Sequence, residues 1–98
     1  MKKKGSRKVK RRRITFQYEN PNAQKVLLVG DFNEWNEKKH PMLNDGGGRW
    51  KKNVLLVPGT YEYKFIVDGR WKKDPGNRAY CLNSFGTKNS VLKVTSRK

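Results

Sequence analysis

The stretch that decides the fold is Tyr61 to Trp71, YEYKFIVDGRW. It belongs to an alternating run from Thr60 to Val67, rich in aromatic and β-branched residues, which meets the dipeptide Asp68-Gly69. Asp-Gly between alternating apolar positions is a strong signal for a β-hairpin with a two-residue turn. The sequence therefore predicts a hairpin whose second arm starts at Arg70.

The register of this hairpin follows from its turn. In an antiparallel pair closed by a two-residue loop, the residue numbers of every facing pair add up to the same total. The predicted pairs are Val67 with Arg70, Ile66 with Trp71 and Lys64 with Lys73. One face of the first arm is almost wholly apolar and must point toward a core; it consists of Tyr61, Tyr63, Phe65 and Val67. Trp71 lies on the other face, diagonal to Lys64, either as part of a binding surface or as cover for a second hydrophobic layer.

The composition is that of one small domain with a modest core. The chain has 98 residues, 34% of them hydrophobic and 11% aromatic. Its single cysteine, Cys81, rules out an intramolecular disulfide and favours a reducing compartment. We find no secretory signal and no segment of transmembrane length, so the sequence predicts no membrane span and a cytoplasmic location.

The net charge of +16 is concentrated near the N-terminus. Nine of the 24 basic residues lie in residues 2–13, which leaves 15 against 8 acidic residues, or +7, for residues 14–98. We expect residues 1–13 to be a disordered basic arm. Such an arm binds polyanions such as nucleic acid weakly and without reading their sequence, or serves as a solvated tail.

The rest of the chain predicts short strands separated by turns, without an amphipathic helix. The additional candidate strands are Arg13–Glu19, Lys25–Gly30, Arg49–Val57, Arg78–Phe85 and Asn89–Thr95. Residues 31–44 are interpreted as a long irregular loop in which Phe32 turns into the core, and Pro58-Gly59 is expected to close the preceding strand into the deciding hairpin. We predict an all-β, immunoglobulin-like antiparallel β-sandwich of six to seven short strands over residues 14–95, with a frayed end at 96–98.

Catalytic chemistry is not indicated. One histidine, His40, and one cysteine do not make a nucleophile with its base or a zinc site. Asp31, Glu34 and Glu37 match no calcium loop, and the glycines at 46–48 lack the Gly-Lys-Ser/Thr of a phosphate loop. We therefore predict no enzyme activity, no metal and no cofactor.

Exposed aromatic residues beside hydrogen-bonding groups suggest a binding surface instead. Such rings stack nucleobases, which would join the basic arm in a nucleic-acid function. They also stack the C–H faces of sugars, in which case Lys64 and Asn89 would reach hydroxyl groups. The residues alone leave both alternatives open.

Three stretches together resemble a known family: GDFNEW at 30–35, YKFIVDGRWKKDP at 63–75 and FGTKNSVLKV at 85–94. They are similar to the glycogen-binding domain of the AMP-activated protein kinase β subunit. More broadly, they resemble the family 48 carbohydrate-binding modules, including the N-terminal early-set domains of isoamylase and branching enzymes. The similarity extends from about Ile14 to Thr95.

This resemblance implies an early-set β-sandwich that binds α-1,4-linked glucan, such as glycogen, starch or malto-oligosaccharide, without cleaving it. Trp35 and Trp71 would cradle the curved chain, while Lys64 and Asn89 would bond to hydroxyls. Phe85 stands where the kinase domain has an aliphatic residue that reaches into the sugar ring. The implied site consists of Trp35, Lys64, Trp71, Phe85, Thr87 and Asn89.

Two departures from the family pattern keep an alternative open. Phe85 is bulkier than the usual residue, and Ser90 replaces a second Asn. Some modules of this kind serve as scaffolds with a degraded sugar site. The partners that the resemblance implies are α-glucan and an enzyme of glycogen or starch metabolism or a kinase complex.

Overall fold

The computed structural model describes residues 10–96. Apart from the short 3-10 helix Asp31–Asn33, regular structure in these residues consists of eight β-strands. The strands are β1 (Arg12–Glu19), β2 (Val26–Gly30), β3 (Leu43–Asn44), β4 (Arg49–Leu56), β5 (Gly59–Val67), β6 (Arg70–Lys72), β7 (Tyr80–Leu82) and β8 (Lys88–Val94).

The strands form two antiparallel sheets. One sheet has the order β1-β4-β3, and the other has the order β2-β5-β8-β7, with β6 also paired to β5. The core lies between them and contains Phe16, Trp50 and Leu56 from the smaller sheet and Leu28 and Phe65 from the larger one. This is the predicted immunoglobulin-like antiparallel sandwich.

The deciding hairpin forms as predicted. Val67 pairs with Arg70 and Ile66 with Trp71, and positive φ angles of 49° at Asp68 and 84° at Gly69 are those that a primed two-residue turn requires. The ladder ends at Phe65 and Lys72, so the predicted pair of Lys64 with Lys73 does not form within it.

The apolar face of β5 is the core face, as the alternation predicts. Tyr63, Phe65 and Val67 are buried, and Tyr61 is half-buried. The ring of Tyr63 meets that of Phe16 edge-on, at 5.0 Å between centroids. The Tyr63 hydroxyl donates to Asp74 at 2.6 Å and accepts from Asn77 at 3.1 Å, so its buried polar atom is satisfied.

Two expectations about connections were wrong. Pro58-Gly59 does not close a hairpin, because it joins β4 in one sheet to β5 in the other. Residues 31–44 are not wholly irregular, since they contain the 3-10 helix and β3, which is the strand beyond the predicted six or seven. β3 has only two residues, both exposed, and therefore carries no alternating burial pattern that the sequence would reveal.

The terminal boundaries differ slightly from the predicted ones. Strand β1 begins at Arg12, so Arg12 and Arg13 belong to the sandwich and not to the arm. The Arg12 guanidinium donates to the carbonyl oxygen of Thr95 at 3.1 Å. Residues 1–9 of the predicted arm and residues 97–98 of the predicted frayed end lie outside the described residues.

Candidate functional site

Strand β5 brings Lys64 to the outer face of the larger sheet, between the inward-facing Tyr63 and Phe65. Only 8% of Lys64 is exposed, although it is charged. Its Nζ donates to the Thr87 hydroxyl at 3.2 Å, and within residues 10–96 it forms no ion pair. An ammonium has three protons to donate, so donors of Lys64 remain for a further partner.

Two tryptophans form an angled wall beside Lys64. Trp71 is placed on β6 by the hairpin register and is 46% exposed. Trp35 is half-buried in the loop that follows the 3-10 helix. The centroids of the two rings are 6.4 Å apart, and their planes meet at 41°.

The segment GDFNEW positions Trp35 because its members bind to different parts of the sandwich. A side chain at Gly30 would place its Cβ 2.7 Å from the carbonyl oxygen of Glu62 and from Cβ of Tyr63, so only glycine lets the loop start this close to β5. Phe32 packs against Phe16 at 5.3 Å between centroids, which confirms its predicted place at the core.

Asn33 of this loop is buried, at 2% exposure, and its side chain bonds to three other residues. Its Oδ1 accepts from the Gly30 amide at 3.0 Å, while its Nδ2 donates to the Leu28 carbonyl at 3.0 Å. The second proton of Nδ2 reaches Nδ1 of His40 at 2.8 Å. His40 is therefore a neutral acceptor that helps to hold the loop.

The third part of the site comes from β8 and the turn that precedes it. Asn89 is 5% exposed, and its Nδ2 donates to Glu62 at 3.0 Å. Thr87 lies at the end of the turn, and Phe85 at the tip is 88% exposed. The sequence-predicted residues of this segment are thus a buried amide, a hydroxyl and a projecting ring.

Asn83, which the sequence analysis missed, organises that turn. Its Nδ2 donates to Thr87 Oγ1 at 2.7 Å and to Asn89 Oδ1 at 2.9 Å, while its Oδ1 accepts from the amides of Phe85 and Thr87. A signal was available, because Asn at the first position and Gly86 at the fourth are typical of a type I turn. That signal predicts a turn but not the contacts of the Asn side chain.

These segments enclose one concavity of about 610 Å³. All six sequence-predicted site residues line it, and Asn83 is the seventh: Trp35, Lys64, Trp71, Asn83, Phe85, Thr87 and Asn89. They come from the 30–35 loop, β5, β6 and the 83–89 segment. The arrangement offers aromatic faces for stacking and amide, hydroxyl and ammonium groups for hydrogen bonds.

Titratable groups near the concavity offer little for bond-breaking chemistry. Cys81 lies opposite Asn89 in the β7–β8 ladder, and burial together with a hydrogen bond to Glu62 raises the pKa of its thiol. A thiol with a raised pKa is a poor nucleophile. Among residues 10–96, no group of three or more His, Cys, Asp or Glu is placed to hold a metal ion.

Comparison with known families gives a match over residues 12–98 to the model described as the glycogen recognition site of AMP-activated protein kinase. The chain belongs to this family. The family is a non-catalytic carbohydrate-binding module, and the predicted resemblance is confirmed.

The similar proteins include two plant proteins and a bacterial branching enzyme. The chain is 39% identical over 84 residues to Protein FLOURY ENDOSPERM 6, chloroplastic, of Oryza sativa. The match covers 86% of this chain and 15% of that protein. It is 46% identical over 76 residues to Protein PTST homolog 2, chloroplastic, of Arabidopsis thaliana, over 76% of this chain and 14% of that protein. A 1,4-alpha-glucan branching enzyme of Bradyrhizobium sp. is 43% identical over 49 residues, which are 50% of this chain and 7% of the enzyme.

A solved structure supports the fold. The crystal structure of maltogenic amylase from S. marinus matches with a TM-score of 0.74 and 20% identity, over 89% of this chain and 14% of the amylase. Family members thus carry this unit within much longer proteins, since the chain spans about 15% of the first plant relative.

No helix among residues 10–96 is long and apolar enough to cross a membrane. Because two relatives are named as chloroplastic, the cytoplasmic location stays a prediction.

Proposed function

We propose that this module binds α-1,4-linked glucan by stacking sugar rings on Trp35 and Trp71. Lys64 and Asn89 would donate hydrogen bonds to hydroxyls, and Phe85 and Thr87 would complete the contact. The proposal rests on one observation: residues far apart in sequence line a single concavity in which two indole rings meet at 41°. Two rings that meet at an angle suit a curved chain of sugars better than a straight chain.

The polar groups of the site favour a neutral ligand with many hydroxyls. Asn89 keeps donor and acceptor capacity beyond its bonds to Asn83 and Glu62. Lys64 supplies the one formal charge of the lining, which is little for binding a polyanion. Polar groups that fix orientation on a mainly aromatic platform are the usual composition of a small-ligand site.

The test is a titration with maltoheptaose and with β-cyclodextrin, followed by tryptophan fluorescence. Trp50 is buried in the core and should give a constant background, so saturable changes would report Trp35 and Trp71. Cellohexaose, whose β-1,4 linkages make a straight chain, is the matched control. No saturable change at millimolar α-glucan would refute the proposal.

Salt concentration separates this function from binding of nucleic acid or another polyanion by the basic N-terminal residues. A neutral sugar releases no counterions, so its affinity should be nearly constant between 50 mM and 500 mM salt, whereas polyanion affinity should fall steeply. Binding of RNA in low salt without binding of maltoheptaose would favour the polyanion alternative. Binding of neither ligand would favour a scaffold with a degraded site.

We further propose that glucan binding brings a catalytic unit to its substrate. One relative is named as a 1,4-alpha-glucan branching enzyme, and the matched unit is 7% of that chain. The enzyme of glycogen or starch metabolism, or the kinase complex, that this module serves would be found by affinity capture with and without free maltoheptaose.

A further inference from the structure

Trp35 is held in a backbone conformation that bulky residues rarely adopt. Its φ angle is 56°, and that of the preceding Glu34 is 57°. Residues other than glycine avoid this left-handed region because Cβ crowds the backbone, and they remain there only where surrounding contacts fix them. The Trp35 amide donates to the carbonyl of Gly30 at 2.9 Å, which fixes the backbone but leaves the ring to be fixed by something else.

The carboxylate of Asp31 is placed to fix that ring. Its Oδ1 accepts from Nε1 of Trp35 at 3.0 Å, and its Oδ2 accepts from the Glu62 amide of β5 at 2.7 Å. Hydrogen bonds to a charged acceptor are stronger than neutral ones. The side chain thus ties the indole to the backbone of β5, although Asp31 is not part of the lining of the concavity.

We propose that Asp31 is a positioning residue for glucan binding, which sets the orientation of the Trp35 ring before the ligand arrives. This inference rests on the proposed function. A ring that is already ordered loses less side-chain freedom on binding. Removing the carboxylate should therefore weaken glucan binding about two- to tenfold, the range expected when one side chain must be ordered by the ligand.

The first variant is Asp31→Asn, which keeps the shape of the side chain. The two oxygens of Asp31 face two N–H donors, Nε1 of Trp35 and the amide of Glu62. The amide nitrogen of Asn must point at one of these donors, so either the bond to the indole or the bond to β5 is lost. In both cases the side chain no longer links the ring to β5. Asp68→Asn is the matched control. Asp68 is also an exposed carboxylate that accepts from backbone amides, those of Gln24 and Lys25 at 2.9 Å, but its Oδ1 makes both bonds and Asn retains that oxygen.

The sugar titration compares these variants. We expect Asp31→Asn to weaken maltoheptaose binding two- to tenfold and Asp68→Asn to leave it within twofold of the wild type. A double-mutant cycle with Trp35→Phe then shows whether Asp31 acts through the indole N–H. In the Trp35→Phe background, which has no Nε1 donor, Asp31→Asn should cause no further loss; the same fold-loss in both backgrounds would overturn the inference.

Near-ultraviolet circular dichroism of the unliganded protein gives a readout that does not depend on sugar. The Trp35 and Trp71 rings are 6.4 Å apart, so their coupled signal should change in Asp31→Asn at a temperature well below unfolding, but not in Asp68→Asn. If the wild type binds no glucan, the proposed function is refuted, and the positioning role in binding falls with it. If the wild type binds and Asp31→Asn binds equally well with an unchanged spectrum, the positioning role alone is refuted.

Discussion

The two faces of strand β5 are both buried, but by different means. On the inner face Phe65 is 0% exposed, and its ring lies 5.1 Å from that of Tyr18 and 5.9 Å from that of Tyr63. On the outer face Lys64 is 8% exposed, and the hydroxyl of Thr87 is its hydrogen-bond partner among residues 10–96. The inner face is completed by the protein, whereas the outer face keeps hydrogen-bonding capacity for something else.

This difference shows how one strand separates folding from recognition. Alternation of side chains along a strand lets apolar residues specify the core while the residues between them build a site. The 31–40 loop joins the two, because Phe32 packs into the core and Trp35 lies against Trp71 on the outer face. Substitutions on the inner face should therefore lower stability, and those on the outer face should lower affinity.

The largest effect is expected from Phe65→Ala. Removing a fully buried ring from a packed core costs about 3–5 kcal/mol, a large part of the total stability of a domain of this size. Urea unfolding followed by far-ultraviolet circular dichroism measures the change. Leu55→Ala is the control: this residue of β4 is 59% exposed, and its removal should change the free energy of unfolding by less than about 0.5 kcal/mol. Equal losses in both variants would contradict the assignment of Phe65 to the core.

The next effect concerns affinity. Trp71→Ala should weaken glucan binding at least tenfold, or about 1.4 kcal/mol, because it removes one wall of the concavity while the cooperative unfolding transition is retained. Isothermal titration with maltoheptaose measures the affinity.

The matched control is Tyr80→Ala. Tyr80 is 50% exposed, similar to the 46% of Trp71, but it does not line the concavity, so its removal should leave affinity within twofold. If Trp71→Ala instead abolished cooperative unfolding, the outer ring would belong to the core and the contrast between the two faces would fail.

The sequence predicted local geometry better than connections between distant segments. The hairpin register, the core face of β5 and the six lining residues follow from alternation, the Asp-Gly turn and the family motifs. The crossover at Pro58-Gly59 could not be predicted, because β4 and β5 each have the alternating pattern of a hairpin strand and only packing assigns them to different sheets. The bonds of Asp31 were missed for a related reason, since the bond to the Glu62 amide depends on where its loop meets β5. The bonds of Asn83 lie largely within its own turn, and the turn signal does not specify the contacts of its side chain.

The smallest effect is a dependence of stability on pH through the loop that joins the two faces. Burial, followed by the nearby charges of Lys52 and Lys39, lowers the pKa of His40 below its ordinary value of 6.5. Its Nδ1 must also be unprotonated to accept from Asn33. The unfolded chain therefore takes up a proton at a higher pH than the folded one, so this contribution to stability is present above about pH 6.5 and is lost as the pH falls through the lower, folded-state pKa.

His40→Gln isolates this contribution from that of the carboxylates, which titrate in both proteins. Glutamine keeps an acceptor for Asn33 but does not ionise. We expect the free energy of unfolding of the wild type to fall more between pH 8 and pH 5 than that of His40→Gln, measured by urea unfolding at half-unit steps. Asn33 ties His40 to the segment that carries both Phe32 and Trp35. Identical pH profiles would mean that protonation of His40 does not destabilise this segment.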